Sequence, residues 1–408
     1  MLRGFAKDTN ILMNDGSVKE IQELETGDEI MDTNGKSITI KNNIKEKSVM
    51  YEITPNKGNK IVLSENNYLV LKVSNYEFIN WDINRQRYLV NWVENFTGKA
   101  KSFPLSNFIG KKSSSKTSKK SILKQRAHNA AKLFLKNMVP KMNGYMKYGD
   151  VVKIKVKDFL KLTKHNQSIF KLHACGLDFQ EREIDMDPYI FGYWLGDGTS
   201  VAPEITTAEQ EVVDVFDQYA GENDLIIKNY RKYHYSLTTG KSNKGKNKMI
   251  NSLKKYKVWG DKHIPIDYKF NSRVNRLKLL AGLVDSDGHN DKNCYAFTFK
   301  SEKLADDVIF IARTLGFRAY KKQCQKTCTN SRRGKVTGTY YSFIVYGEGI
   351  HEVPSILERK KTHPRLKKQN ALVIGFKMKS IGKANAYHLE FEGKRKRFLL
   401  DDFTVVHN

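Results

Sequence analysis

From Thr9 to about Lys72 the apolar residues come in short runs broken by turn signals. Asn14-Asp15-Gly16, Thr26-Gly27-Asp28 and Asn34-Gly35 separate runs such as Asn10-Ile11-Leu12-Met13 and Ser37-Ile38-Thr39-Ile40, a rhythm that predicts short β-strands. Strand character returns near the C-terminus in Ala371-Leu372-Val373-Ile374-Gly375-Phe376, Ala386-Tyr387-His388-Leu389-Glu390-Phe391 and Phe398-Leu399-Leu400. One all-β domain built from both chain ends and split by a long insertion accounts for both stretches.

The insertion holds an internal repeat. In the first copy Asp187 precedes Pro188 as an N-cap precedes the first helical residue, and the apolar run Tyr189-Ile190-Phe191-Gly192-Tyr193-Trp194-Leu195-Gly196-Asp197-Gly198 follows. In the second, Arg276-Leu277-Lys278-Leu279-Leu280-Ala281-Gly282-Leu283-Val284-Asp285-Ser286-Asp287-Gly288 is again an apolar helix ending in Asp-Gly. An offset of 90 residues superposes Asp197 on Asp287, Gly192 on Gly282 and Gly196 on Ser286. Small residues four apart let two helices pack backbone to backbone, which brings the two aspartates together at one end. Each copy is followed by a strand (Glu204-Ile205-Thr206-Thr207; Ala296-Phe297-Thr298-Phe299), a helix (near 208–220; near 302–315) and another strand (Tyr235-Ser236-Leu237-Thr238; Ser342-Phe343-Ile344-Val345-Tyr346). Two similar α/β halves related by a pseudo-twofold are expected.

Charge changes the picture next. The chain of 408 residues is long enough for two or three domains, and its net charge of +27 exceeds what solubility needs. Thirteen lysines and arginines and no acidic residue lie between Asn95 and Gly149. Nucleic acid is the expected partner, with Lys111, Lys112, Lys119, Lys120, Lys124 and Arg126 as candidate phosphate contacts. A solvated basic loop around Lys111-Lys112-Ser113-Ser114-Ser115-Lys116 is compatible with that role. The sequence shows no apolar run of signal-peptide or membrane-span length, so an intracellular protein is expected, nuclear if its source is eukaryotic. The four cysteines, Cys175, Cys294, Cys324 and Cys328, do not form the paired framework of a secreted domain. Cys324 and Cys328 lack a second Cys or His pair at zinc-ligand spacing and read as free thiols.

Paired carboxylates at the base of a two-helix seam in a basic protein suit metal-dependent phosphodiester hydrolysis, with Mg²⁺ or Mn²⁺ as the cation. Proteins rarely juxtapose two anions without a cation. One copy alone would read as a helix that merely ends before a glycine; the registered second copy moves the reading to chemistry. Asp197 and Asp287, with Gly196 and Ser286 immediately before them, form the candidate metal set.

At these residues the sequence resembles the LAGLIDADG homing endonucleases. Leu280-Ala281-Gly282-Leu283-Val284-Asp285-Ser286-Asp287-Gly288 is close to the family's second motif, and Tyr193-Trp194-Leu195-Gly196-Asp197-Gly198 to its first. The resemblance implies a double-strand cut at a long DNA site read by saddle-shaped β-sheets, in a monomer whose two halves mimic a dimer. It makes the last acidic residue of each motif a metal ligand and leaves Asp285 a packing or capping role. It also implies a catalytic lysine between the motifs, where Asp261-Lys262-His263-Ile264-Pro265 puts Lys262. A second is expected after the second motif, where Arg332-Arg333-Gly334-Lys335 aligns loosely and offers Lys335, with Arg332 and Arg333 as DNA contacts.

The flanks resemble inteins. Phe5-Ala6-Lys7-Asp8-Thr9-Asn10-Ile11-Leu12-Met13-Asn14-Asp15-Gly16-Ser17 is similar to the start of the fungal vacuolar ATPase intein group, Tyr148 to Phe179 to the close of its first β half, and Phe398 to Asn408 to an intein end. In that family the residue at Gly4 carries the nucleophile for the opening acyl shift, and glycine has none. The family's Thr-x-x-His motif aligns with Ser64-Glu65-Asn66-Asn67, which puts Asn67 where the histidine belongs. His407 and Asn408 match the C-terminal pair, with no residue after Asn408 and hence no bond there to break. Natural decay and engineered replacement at Gly4 would both give this start.

The resulting expectation is multidomain. A Hint-type β domain spans 1–180, including the basic arm at about 95–149, and resumes at 359–408; a pseudo-twofold α/β LAGLIDADG endonuclease occupies 181–358. A self-splicing intein with a vestigial nuclease, and a non-catalytic, maturase-like nucleic-acid-binding protein, are the alternatives.

Overall fold

The computed structural model describes the chain except residues 1–2, 75, 110–115, 241–245, 332–333, 365–369 and 395, and the side chains of 116–119, 328–331 and 334–336. Strands from the two chain ends share sheets. Phe5–Ala6 pairs with Phe376–Phe391 in the register Phe5↔Tyr387 and with Ile61–Ser64. The long strand Ser37–Pro55 runs antiparallel to Phe376–Phe391 over nearly its whole length. In a second sheet Tyr68–Val73 joins Val151–Lys155, Phe170–His173 and, through Tyr68↔His407, the last strand Val405–His407. Apolar residues of these strands, among them Phe5, Ile53, Leu63 and Leu71, bury into one core with Ile11, Ile30 and Phe398 of the short strands Asn10–Leu12, Glu29–Met31 and Arg397–Leu399.

A separate core is drawn from residues between Met186 and Leu357. At its centre lie two helices, Pro188–Asp197 and Arg273–Ser286. Asp187 caps the first, accepting hydrogen bonds from the Tyr189 and Ile190 amides at 2.8 and 3.2 Å, and Ser272 caps the second. The first helix is apolar nearly all round and the second is so from Leu279 to Val284, where the two pack against each other. The seam admits only glycine at its crossing. A Cβ on Gly192 would lie 2.2 Å from the Leu279 carbonyl oxygen, and one on Gly282 would lie 2.1 Å from that of Tyr189.

Each motif helix leads into a similar unit. The first contains the sheet Glu204–Thr206, His234–Thr238, Ile226–Arg231 with the helix Gln210–Glu222. The second contains His289–Asn290, Tyr295–Phe299, Gly334–Val345, Lys322–Ser331 with the helix Glu302–Thr314. Ile226–Arg231 and Lys322–Ser331 were not foreseen: Ile226–Arg231 is largely exposed, and Lys322–Ser331 has few apolar residues, so neither shows the alternation of a half-buried strand. A third cluster, with Leu12, Met31, Leu399 and Phe403 against Phe270 and Phe310, packs the β scaffold onto the motif region. No described helix is long and apolar enough to cross a membrane.

Within the acid-free tract Lys116–Asn137 is a 22-residue helix. It packs through Ala131 on a sheet of Phe78–Asp82, Arg87–Glu94, Thr97–Pro104 and Tyr145–Met146, against Val90, Trp92 and Val139. Lysine, alanine, leucine and glutamine favour helix, and the buried alanines Ala127 and Ala131 lie one turn apart on the inner face. Their small apolar signal is drowned by charge in the linear sequence.

Candidate active site at the paired motif helices

The seam sets Asp197 at the last position of its helix and Asp287 just past the end of the other. A Cβ on Gly196 would sit 2.1 Å from Ser286 Oγ and 3.2 Å from Asp287 Oδ2, so the two chain turns touch. The Ser286 hydroxyl is occupied within its own helix, donating to the Gly282 and Leu283 carbonyls at 2.9 and 3.2 Å. Neither aspartate carboxylate accepts a hydrogen bond from a described residue.

Lys262 reaches the end of the first helix. Its ammonium donates to the carbonyls of Trp194 at 2.8 Å, Leu195 at 3.0 Å and Gly198 at 2.7 Å, with Gly196 O at 3.4 Å. These carbonyls lie in and just past the last turn of the helix, Trp194 O also accepting the Gly198 amide, and the cation meets the negative end of the helix dipole. The second helix is finished in the same way by Lys360, which donates to Val284, Asp285 and Ser286 carbonyls at 2.9, 2.8 and 3.0 Å. Lys335 lies in the strand Gly334–Val345 with its side chain outside the described residues, and the lysine that ends the second motif helix among the described residues is the buried Lys360.

The charges perturb one another. Burial raises Asp197 above the usual carboxylate range, against the pull of Lys360 and Lys262. Asp287 reaches water at the mouth of the site, yet the protein enclosing it and the neighbouring Asp197 push it up to about 6. Burial brings Lys262 down to about 8, with both aspartates opposing, and lowers Lys360 as well. Two late-titrating carboxylates beside two early-titrating ammoniums are the signature of a site built to handle charge and protons.

Asp285 takes a structural position, accepting hydrogen bonds from Tyr189 Oη at 3.0 Å, the Ile356 amide at 2.8 Å and the Ser355 hydroxyl. Among the candidate DNA contacts, Lys120, Lys124 and Arg126 are exposed on the basic helix, and Lys124 Nζ stands 4.5 Å over the Trp81 ring. Lys111, Lys112, Arg332, Arg333 and the Lys119 side chain lie outside the described residues.

The four intein positions converge far from the aspartates in sequence. The Gly4 amide donates to Ser64 Oγ at 3.1 Å, and the Gly4 carbonyl accepts from the Ser64 amide at 2.9 Å and Asn67 Nδ2 at 3.3 Å. Asn408 Nδ2 lies 3.1 Å from His388 Nδ1 and also donates to the Leu389 carbonyl. His388 was missed because it sits in a strand pattern with no motif around it. His407 Nε2 faces Lys153 Nζ at 3.4 Å, and burial, with Lys153 and Arg3, brings its imidazole down to about 4.

Residues 4–407 match the family model of the Hom_end-associated Hint domain. The chain belongs to this family. Over 193 residues it is 33% identical to the replicative DNA helicase DnaB of Mycobacterium intracellulare, covering 47% of this chain and 28% of that protein. Over 256 residues it is 26% identical to the homothallic switching endonuclease of Saccharomyces cerevisiae, covering 52% of this chain and 42% of that protein. The chain thus spans less than half the length of either relative. Among solved structures, the gp41-1 intein is similar over 18% of this chain and 54% of its own, at 24% identity and a TM-score of 0.15. The structure of I-DmoI in complex with DNA and Mn is similar over 42% and 98%, at 14% identity and a TM-score of 0.28.

Proposed function

We propose that this Hom_end-associated Hint protein is a site-specific, metal-dependent double-strand DNA endonuclease acting as a monomer on a long target site. In this reading a Hint domain formed by about 1–180 and 359–408 carries the endonuclease at about 181–358, and its splicing is impaired. The observation that carries the proposal is the duplicated helix end: an open carboxylate, Asp197 or Asp287, beside a lysine that caps the same helix, Lys262 or Lys360. The similarity to the homothallic switching endonuclease supports the same class of activity.

The donor set fits a hard divalent cation. The two carboxylates accept no hydrogen bond from a described residue and are oxygen donors; the backbone oxygens of Gly196 and Ser286 beside them are shared with Lys262 and Lys360, and no cluster of three or more His, Cys, Asp or Glu suited to a metal occurs among the described residues. Such a site suits Mg²⁺ or Mn²⁺ with water and substrate phosphate completing the shell. Bound there, the cation would supply Lewis-acid stabilisation of phosphate charge and an activated water. Asp197 and Asp287 must be deprotonated to serve. Lys262 and Lys360 place positive charge at the mouth of the seam, where a scissile phosphate would accumulate charge. Lys262, near 8, holds its proton at Nζ at neutral pH and can exchange it about a unit higher.

Splicing is proposed to be impaired because Gly4 offers no nucleophile. A Cβ there would meet the Tyr387 carbonyl oxygen at 2.8 Å, so the strands have closed around glycine. The test of the nuclease is Mg²⁺-dependent cleavage of DNA by the parent chain, lost on Asp197→Asn or Asp287→Asn. The test of the second point is a precursor with a segment fused ahead of Gly4 and treated with thiol, which is expected to release no N-terminal segment; release would contradict the impairment.

A further inference from the structure

Lys262 arrives on an irregular segment and Lys360 at the end of the short 3-10 turn Glu358–Lys360, and the chain leading to or from each is held by a buried carboxylate. The Lys262 segment is pinned two residues later, where the Ile264 amide donates to Asp307 Oδ2 at 2.7 Å. Asp307 is 6% exposed and also pairs with Lys269 at the far end of the short helix that follows. The Lys360 segment is pinned by Asp285, 2% exposed, through the Ser355 hydroxyl and Ile356 amide. Asp285 also accepts from Tyr189 of the facing motif helix, so it ties both helices to the incoming segment. Both carboxylates belong to the second copy of the repeat; at the position matching Asp285 the first copy has Leu195. The lysine serving the first helix is therefore held from the other half.

We propose that Asp285 and Asp307 are positioning residues, each fixing one lysine at its helix end, so that losing either disables one half of the site and spares the other. A buried carboxylate accepting backbone N–H groups resists local opening, and without it the segment loses its anchor while the helix seam stays packed.

The test is lysine labelling of the full chain with an amine-acylating reagent, read by mass spectrometry. Asp307→Ala is expected to raise labelling of Lys262 about fivefold or more and leave Lys360 protected, and Asp285→Ala to do the reverse. Equal labelling of the two lysines, or no change, overturns the proposal. A second reading rests on the endonuclease proposal: on supercoiled target DNA each variant should accumulate nicked circles, with opposite strands slowed and DNA affinity unchanged. Asp307→Asn, which keeps an oxygen for the Ile264 amide, should recover most of the loss. Equal slowing of both strands contradicts the positioning role. A parent chain that cuts no DNA contradicts only the endonuclease reading, because labelling still decides the other. Should an alanine variant not fold, Lys303→Ala, which frees Asp261 beside Lys262, and Ser355→Ala loosen the same segments and are read identically.

Discussion

Asp287 keeps its proton to about pH 6 because its own enclosure and the Asp197 charge both disfavour the anion. The folded state therefore binds that proton more tightly than the unfolded chain, whose carboxyl titrates near 3.8. Its contribution to stability is full below about pH 4 and is lost as pH rises through about 6. In metal-free buffer Asp287→Asn should raise the melting temperature near pH 7 and change it little near pH 4; equal shifts at both would contradict the assignment. Divalent cations act in the opposite direction and should stabilise the parent more than the variant. Cleavage should rise with pH through about 6 as the carboxylate becomes available. At the lysines, Lys262→Met and Lys360→Met should each slow cleavage about 100-fold. Each substitution also leaves helix-end carbonyls without their donor, so a loss of stability of about 1–3 kcal/mol is expected in denaturant melts. Cleavage that falls no further than the folded fraction would show that the lysines are caps and nothing more.

The helix pair is the element that makes the site possible. Gly192→Ala and Gly282→Ala drive a methyl into the facing backbone, where no side chain can swing away. Each should destabilise the chain by about 2–3 kcal/mol and misalign the two aspartates, measured by urea unfolding and cleavage together. Much of this element was legible beforehand. The Asp187-Pro188 cap, the apolar run and the glycine pair at a fixed offset specify a packed helix, and doubling them specifies a seam. Lys262 was legible from the resemblance alone. Lys360 was not, because it follows an irregular, aperiodic segment within Arg359-Lys360-Lys361, and nothing local tells which of three adjacent cations is buried. Its burial depends on Asp285, whose contacts lie about 70 residues away in sequence. The basic helix was hidden for another reason: an inner face made of alanines leaves little apolar period to read.

For the whole molecule, the surplus of positive charge is a long-range property that shape does not reveal. Lys120, Lys124 and Arg126 are exposed on the basic helix Lys116–Asn137. Reversing all three to glutamate should weaken DNA binding and reduce the slope of log affinity against log salt by about 2 to 3. Unchanged salt dependence would remove the basic helix from the interface. Strands from both ends close the β scaffold, so the inserted region is held at two junctions and packed through Phe270 and Phe310. The most direct measurement is cleavage of a target-site library with Mg²⁺ by the parent chain and by Asp197→Asn and Asp287→Asn. Discrete double-strand breaks that either substitution abolishes are the predicted result; DNA bound without cutting, or cutting that survives both substitutions, would contradict the account.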